Sequence, residues 1–105
     1  MKEFINQNVL VTTVDWFYGK DGRTYRGAWG KLKGVHEAKE SLGITPSRAH
    51  ANWFIEIGDM VITGCQVLYI TKCDNPPPEN VDDFTKVDGE IKYYRRPSEI
   101  FIMHN

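Results

Sequence analysis

"NWFIEIGDMVITGCQVLYITK", residues 52–72, decides the fold. Trp53, Ile55 and Ile57 alternate with Phe54 and Glu56, which is the period of a strand and not of a helix. Gly58-Asp59 then suits a two-residue type II′ turn, where glycine takes a positive φ at no steric cost. The chain returns through residues 60–72, and Val67, Leu68, Tyr69 and Ile70 are apolar on both faces. That pattern predicts a central strand with cover on either side.

Working outward, "NVLVTTVDWFY" (8–18) is β-branched and aromatic on both alternating faces. It predicts a strand covered on two sides or set in a tightly curved sheet. "GKDG" (19–22) offers a turn with Asp21-Gly22 suited to positive φ. "RTYRGAWGKLKGV" (23–35) leads back, with Tyr25 and Trp29 expected on one face and Gly27 between them. Glycines at 27, 30 and 34 weaken a flat strand and mark bends or close backbone approach. "HEAKESLG" (36–43) predicts one short helix stopped by Gly43. "TPSRAHAN" (45–52) predicts a single helical turn after a Thr45 cap. "CDNPPPENVDD" (73–83) is expected to be a solvated connector. "FTKV-DG-EIKYYRR" (84–96) is expected to be a hairpin over an Asp88-Gly89 type I′ turn, and "EIFIM" (99–103) a last short strand suited to pairing with a neighbour. The expected fold is mainly β, a strongly bent antiparallel sheet or small open barrel with one short helix, in a single domain over residues 1–105.

With 105 residues the chain has room for one modest core. Its net charge of −1 neither demands nor excludes nucleic acid. The two halves differ, since residues 1–50 carry eight Lys/Arg against five Asp/Glu and residues 51–105 carry five against nine. No charged-then-apolar leader opens the sequence, so Cys65 and Cys73 are expected to be reduced thiols in the cytoplasm. No apolar run approaches membrane-spanning length.

Catalytic signatures are weak. Ser41, Ser47 and Ser98 lie in no G-x-S-x-G elbow, and there is no Walker loop, G-x-G-x-x-G or H-E-x-x-H. The cysteines are eight apart and His36, His50 and His104 are scattered, so no metal site and no cofactor is implied. The acids Asp15 and Glu56 are explained by a solvent-facing sheet surface. The expectation is a protein that binds without turning over a substrate.

Binding has better material. In "FYGKDGRTYRGAWGKLKG" (17–34) five basic residues are interleaved with aromatic ones, and "KYYRRP" (92–97) repeats the recipe. Guanidinium groups fork onto phosphate while exposed rings stack on bases. The candidate ligand-binding residues are therefore Tyr18, Arg23, Tyr25, Arg26, Trp29, Arg48, Asn52, Tyr94, Arg95 and Arg96. Arg95 and Arg96 are expected to complete a pocket begun by the first hairpin, within one chain or across a boundary between copies. Asn52 is the candidate for reading a base edge. The expected ligand is small, anionic and nucleotide-like. A single-stranded nucleic acid or a host protein is the alternative partner, and a membrane is not expected.

Three stretches, "GKDGRTYRGAWGKLKGV", "LGITPSRAHANWFIEIGDMVITGCQVLY" and "YYRRPSEI", resemble a group of small proteins encoded by tailed bacteriophages. The resemblance runs from about residue 8 to 102 and carries no catalytic signature. It implies a phage product in the bacterial host's cytoplasm. Small phage proteins of this kind block host enzymes or neutralise defence systems, in some cases by sequestering a nucleotide signal.

Overall fold

A computed structural model of the protein describes residues 2–37, 53–78 and 84–97. After a 3-10 turn at Lys2–Phe4, strand β1 (Asn8–Tyr18) and strand β2 (Thr24–Glu37) form an antiparallel hairpin. The Gly22 N–H donates to the Gly19 carbonyl at 3.0 Å, the Gly19 N–H donates to the Arg23 carbonyl at 2.8 Å, and Gly22 has φ +80°. This is the three-residue loop in which a tight turn is closed by one left-handed residue. Strand β3 (Trp53–Ile57) turns through Gly58 and Asp59 into β4 (Met60–Thr63). A 3-10 turn at Gly64–Gln66 carries the chain to β5 (Val67–Lys72), and β6 (Thr85–Asp88) pairs with β7 (Ile91–Tyr94).

The strands run in the order β4-β3-β2-β1-β5 and curl into a half-barrel. The long strand β2 makes this possible. One edge pairs with β1, while the other takes β7 along residues 27–29 and then β3 along residues 32–37. The inner face carries the main core, including Val11, Tyr25, Leu32, Ile57 and Ile91, all fully buried. Tyr25 and Tyr93 stack there with ring centroids 4.9 Å apart.

The outer face is also covered. Leu10, Trp29, Cys73 and Tyr94 cluster there beneath the connector that follows β5. Trp29 donates its indole N–H to the Cys73 carbonyl at 2.7 Å, and Tyr94 donates its hydroxyl to the Pro77 carbonyl at 3.0 Å. Cys73 and Pro77 are thus buried against the sheet, where a fully solvated connector was expected, while Asp74, Asn75, Pro76 and Pro78 are exposed as expected. Prolines that cannot join a ladder still pack, and their carbonyls still accept.

Several expectations are corrected. His36 and Glu37 continue β2, so the helix expected over 36–43 does not start there; residues 38–43 lie outside the described residues, which contain no α-helix. The helical turn at 45–52 and the strand at 99–103 also lie outside them. The strand expected over 60–72 is broken by the Gly64–Gln66 turn, and among the described residues β5 ends the strand order, with Leu68 and Tyr69 exposed. The Gly58-Asp59 turn matches its type, with φ +56° at Gly58 and no positive φ at Asp59. The later hairpin turns one residue further on than expected. Asp88 pairs with Ile91 and Gly89 has φ +64°, so Gly89-Glu90 form the centre.

Candidate functional site

Thr12 pairs with Gly27 and Phe17 with Tyr25, so four residues of β1, 13–16, lie opposite the single residue Arg26. A bulge of this size bends the strand and re-aims its side chains. It also separates Tyr25, which joins the inner core, from Trp29, which joins the outer cluster. The bulge is tied to itself and to Arg26. The buried Thr13 hydroxyl lies 2.5 Å from the Asp15 carbonyl and 3.2 Å from the Arg26 carbonyl, and Asp15 Oδ1 accepts the Trp16 N–H at 2.8 Å. The Arg26 guanidinium reaches the Val14 carbonyl at 3.5 Å and lies 5.9 Å from the Trp16 ring centre. Beyond these ties the bulge presents Val14 and Trp16 to solvent, and Tyr18 follows at 77% exposure.

Arg23 leaves the hairpin loop beside this bulge, its guanidinium 5.1 Å from the centre of the Phe84 ring. Phe84 in turn stacks on Tyr25, and its carbonyl accepts the Arg95 N–H at 3.1 Å. Arg26 and Arg95 each lie one residue beyond the Gly27–Tyr94 pair, on the same side of it. The hairpin loop, the bulge and the end of β7 therefore bring Arg23, Arg26, Arg95 and Arg96 to one end of the sheet. Among the described residues none of these four makes an ion pair with a carboxylate, whereas Lys20, Lys33, Lys72 and Lys86 each do, at 2.6–3.9 Å.

The acids of this region are occupied elsewhere. Asp21 accepts the Tyr25 hydroxyl at 2.7 Å, the Arg23 N–H at 3.1 Å and the Lys86 ammonium at 3.2 Å. The Tyr25 hydroxyl is the largest of the influences holding the Asp21 carboxyl at about 2. Burial, and next the hydrogen bond to Asp21, push Tyr25 up to about 12. Asp59 is lowered chiefly by its bond to Lys20, which ties the first loop to the β3–β4 turn.

The predicted site residues therefore divide. Arg23, Arg26, Arg95, Arg96 and the exposed Tyr18 assemble at one end. Tyr25 and Tyr94 do not serve as stacking surfaces, because both rings are fully packed and their hydroxyls are spent on Asp21 and Pro77. Trp29 is half-buried and anchors the connector. Arg48 and Asn52 lie outside the described residues. Trp16 was not among the predicted residues; its signal was the Asp15-Trp16 pair, in which an aspartate bonds the following backbone N–H as it does in turns. An apolar cavity of about 290 Å³, lined by Phe4, Trp53, Val67, Leu68 and Ile70, includes none of the predicted residues.

No His, Cys, Asp or Glu cluster able to hold a metal ion occurs among the described residues, and no helix there is long and apolar enough to cross a membrane. Comparison of the chain with known protein families, with curated proteins and with solved structures finds no match.

Proposed function

We propose that this protein binds a small anionic, nucleotide-like ligand at the arginine end of the sheet, without turning it over. One observation carries the reading: four arginines share one end, and among the described residues none is neutralised by a carboxylate. Gathering like charges without counter-ions costs free energy through mutual repulsion, and a bound anion relieves it. Arginine is also the residue whose planar fork fits phosphate. Trp16 and Tyr18 supply exposed ring faces beside those charges, for stacking on a base. The resemblance to small phage proteins extends the proposal to sequestration of a nucleotide signal in the host cytoplasm, as counter-defence.

The test is thermal melting of the purified chain against mono-, di- and cyclic nucleotides and a short single strand. A ligand at a hundred times its Kd adds about 2.7 kcal/mol. For a domain of this size each kcal/mol raises Tm by roughly 4–8 °C. One nucleotide is expected to raise Tm by about 10 °C or more, and the shift is expected to collapse in Arg23→Gln, Arg26→Gln and Arg95→Gln but not in Lys31→Gln. A flat panel overturns the reading and leaves a protein partner as the alternative. A single strand is the second reading, because the arginines lie apart from the apolar cavity. Its affinity would fall steeply with salt, in proportion to the phosphates contacted.

A further inference from the structure

We propose that the ligand carries an extended polyphosphate: a nucleoside triphosphate lies across the end of the sheet, its base on Trp16 and its terminal phosphate at Arg23. This deepens the nucleotide reading above and rests on it. The strands at this end stand in the order β1, β2, β7, β6. The bulge at 13–16 lies opposite Arg26 of β2, and Arg95 of β7 takes the place next to the Gly27–Tyr94 pair, across from Arg26. Phe84 takes the place next to the Thr85–Tyr94 pair, and its carbonyl accepts the Arg95 N–H at 3.1 Å. One level of the sheet thus runs from the bulge through Arg26 and Arg95 to Phe84, three strand spacings or about 14 Å.

The guanidinium groups diverge along that line. Arg26 turns towards β1, where it lies 3.5 Å from the Val14 carbonyl and 5.9 Å from the Trp16 ring centre. Arg23 turns the other way, towards β6, and stands 5.1 Å from the centre of the Phe84 ring. The exposed Arg95 has its place between them. Recognition of one phosphate needs forks that converge on it. Here the charges on either side of Arg95 point apart, so they make a row and not a cup. Like charges directly opposite on neighbouring strands repel, and a chain of phosphates laid along the row relieves each of them in turn.

The two ends of the row are unlike, and this sets the ligand's direction. The β1 end carries Trp16, 46% exposed, whose ring offers a face to a base. At the β6 end the half-buried Phe84 is stacked on Tyr25 and has the Arg23 guanidinium over its ring. A base therefore fits at the β1 end, and the phosphates run past Arg26 and Arg95 to Arg23. The arginines have donors to spare for this. Among the described residues the 3.5 Å contact to Val14 is the one bond of the Arg26 guanidinium, and its buried Nε–H has no acceptor. A guanidinium carries five donors, and a phosphate chain offers several oxygens to each.

The experiment is isothermal titration of the full chain, in EDTA, with adenosine, AMP, ADP, ATP, inorganic triphosphate and a short oligothymidylate. Each added phosphate is expected to tighten binding at least about tenfold, the weight of one charge-assisted hydrogen bond. Arg23→Gln is expected to lower ATP to the affinity of ADP and to leave AMP unchanged. Trp16→Ala is expected to lower ATP to the affinity of inorganic triphosphate and to leave triphosphate itself unchanged, which also shows that the variant is folded. Equal affinities for AMP, ADP and ATP overturn the polyphosphate and leave the nucleotide reading standing. Loss of AMP binding in Arg23→Gln does the same, since the arginines would then converge on one phosphate. An oligothymidylate bound more tightly than ATP overturns the proposal and assigns the row to a single strand. Binding of none of these probes overturns both readings.

Discussion

Gly58→Ala and Gly22→Ala compare a turn glycine packed against a neighbouring turn with one that stands in open space. Both glycines have positive φ, +56° and +80°. An alanine at Gly22 pays roughly 1–2 kcal/mol for the left-handed conformation, and one at Gly58, the first central residue of a type II′ turn, pays at least as much. Either also gains about 0.4–1 kcal/mol by restricting the unfolded chain. The backbone contributions therefore do not favour Gly58→Ala over Gly22→Ala, and the surroundings add to the difference. A Cβ at Gly22 meets nothing within 4 Å. At Gly58 it meets Ile91 Cγ1 at 2.5 Å and the backbone oxygen of Glu90 at 3.2 Å. Ile91 is fully buried and the Glu90 carbonyl belongs to a tight turn, so neither can swing into solvent.

Overpacking of this kind costs about 1–3 kcal/mol. Gly58→Ala is therefore expected to be less stable than Gly22→Ala by that amount, and to melt at least about 4 °C lower. Urea unfolding followed by circular dichroism measures the difference, provided both variants share one m-value. Equal stabilities, or the reverse order, would refute the claim that the β3–β4 turn is locked against the β6–β7 turn.

Three further outcomes follow from the hydrogen-bonded and buried groups. Asp21 titrates at about 2 in the folded protein against roughly 3.9 unfolded, so its stabilisation is complete above about pH 4 and lost as pH falls towards 2; Asp21→Asn should flatten the acid limb of a stability–pH curve in that window. Tyr25 is raised to about 12 from an unfolded value near 10, so its contribution is present below about pH 10 and lost as pH rises through 12; Tyr25→Phe should flatten the alkaline limb. Cys65 is exposed and should react at once with a disulfide reagent, while Cys73, 5% exposed and raised by burial, should wait for local opening. Losing the Trp29–Cys73 bond is worth about 1 kcal/mol, so Trp29→Phe should speed the slow thiol about fivefold. Simultaneous reaction of both thiols in the folded wild type would contradict the laid-down connector.

How much of the fold was legible depended on whether the signal was local. The bounds of β1 and the turns at 19–22 and 58–59 are fixed by side-chain alternation and by φ preferences within a few residues. The position of β5 is not a local property. Val67–Ile70 look apolar on both faces whether a strand is central or at an edge, and only pairing decides. The helical pattern from His36 had the same weakness. His36 pairs with Phe54 and stacks on its ring at 5.0 Å, and this ladder overrides a modest propensity. The bulge at 13–16 changed the faces of everything after it, which is why Tyr25 and Trp29 parted although four residues of simple alternation put them together.

The gathering of arginines was legible in the sequence and the burial of the rings was not, and hydrogen-bonding handles explain why. Tyrosine and tryptophan can be buried when their O–H or N–H finds a partner. Tyr25, Tyr94 and Trp29 each have one inside the fold, on Asp21, Pro77 and Cys73. Those partners are 4, 17 and 44 residues away, so the sequence gives no sign of the two distant ones. The indole N–H of Trp16 and the hydroxyl of Tyr18 have no partner among the described residues, and both rings stand in solvent. Arginines cannot be hidden in the same way, because a guanidinium carries five donors and a charge that no backbone carbonyl neutralises. A row of basic and aromatic residues is thus an ambiguous message. The bases mark one end of the sheet, and on the proposed reading only the rings whose polar atoms remain unspent are left to stack on a ligand.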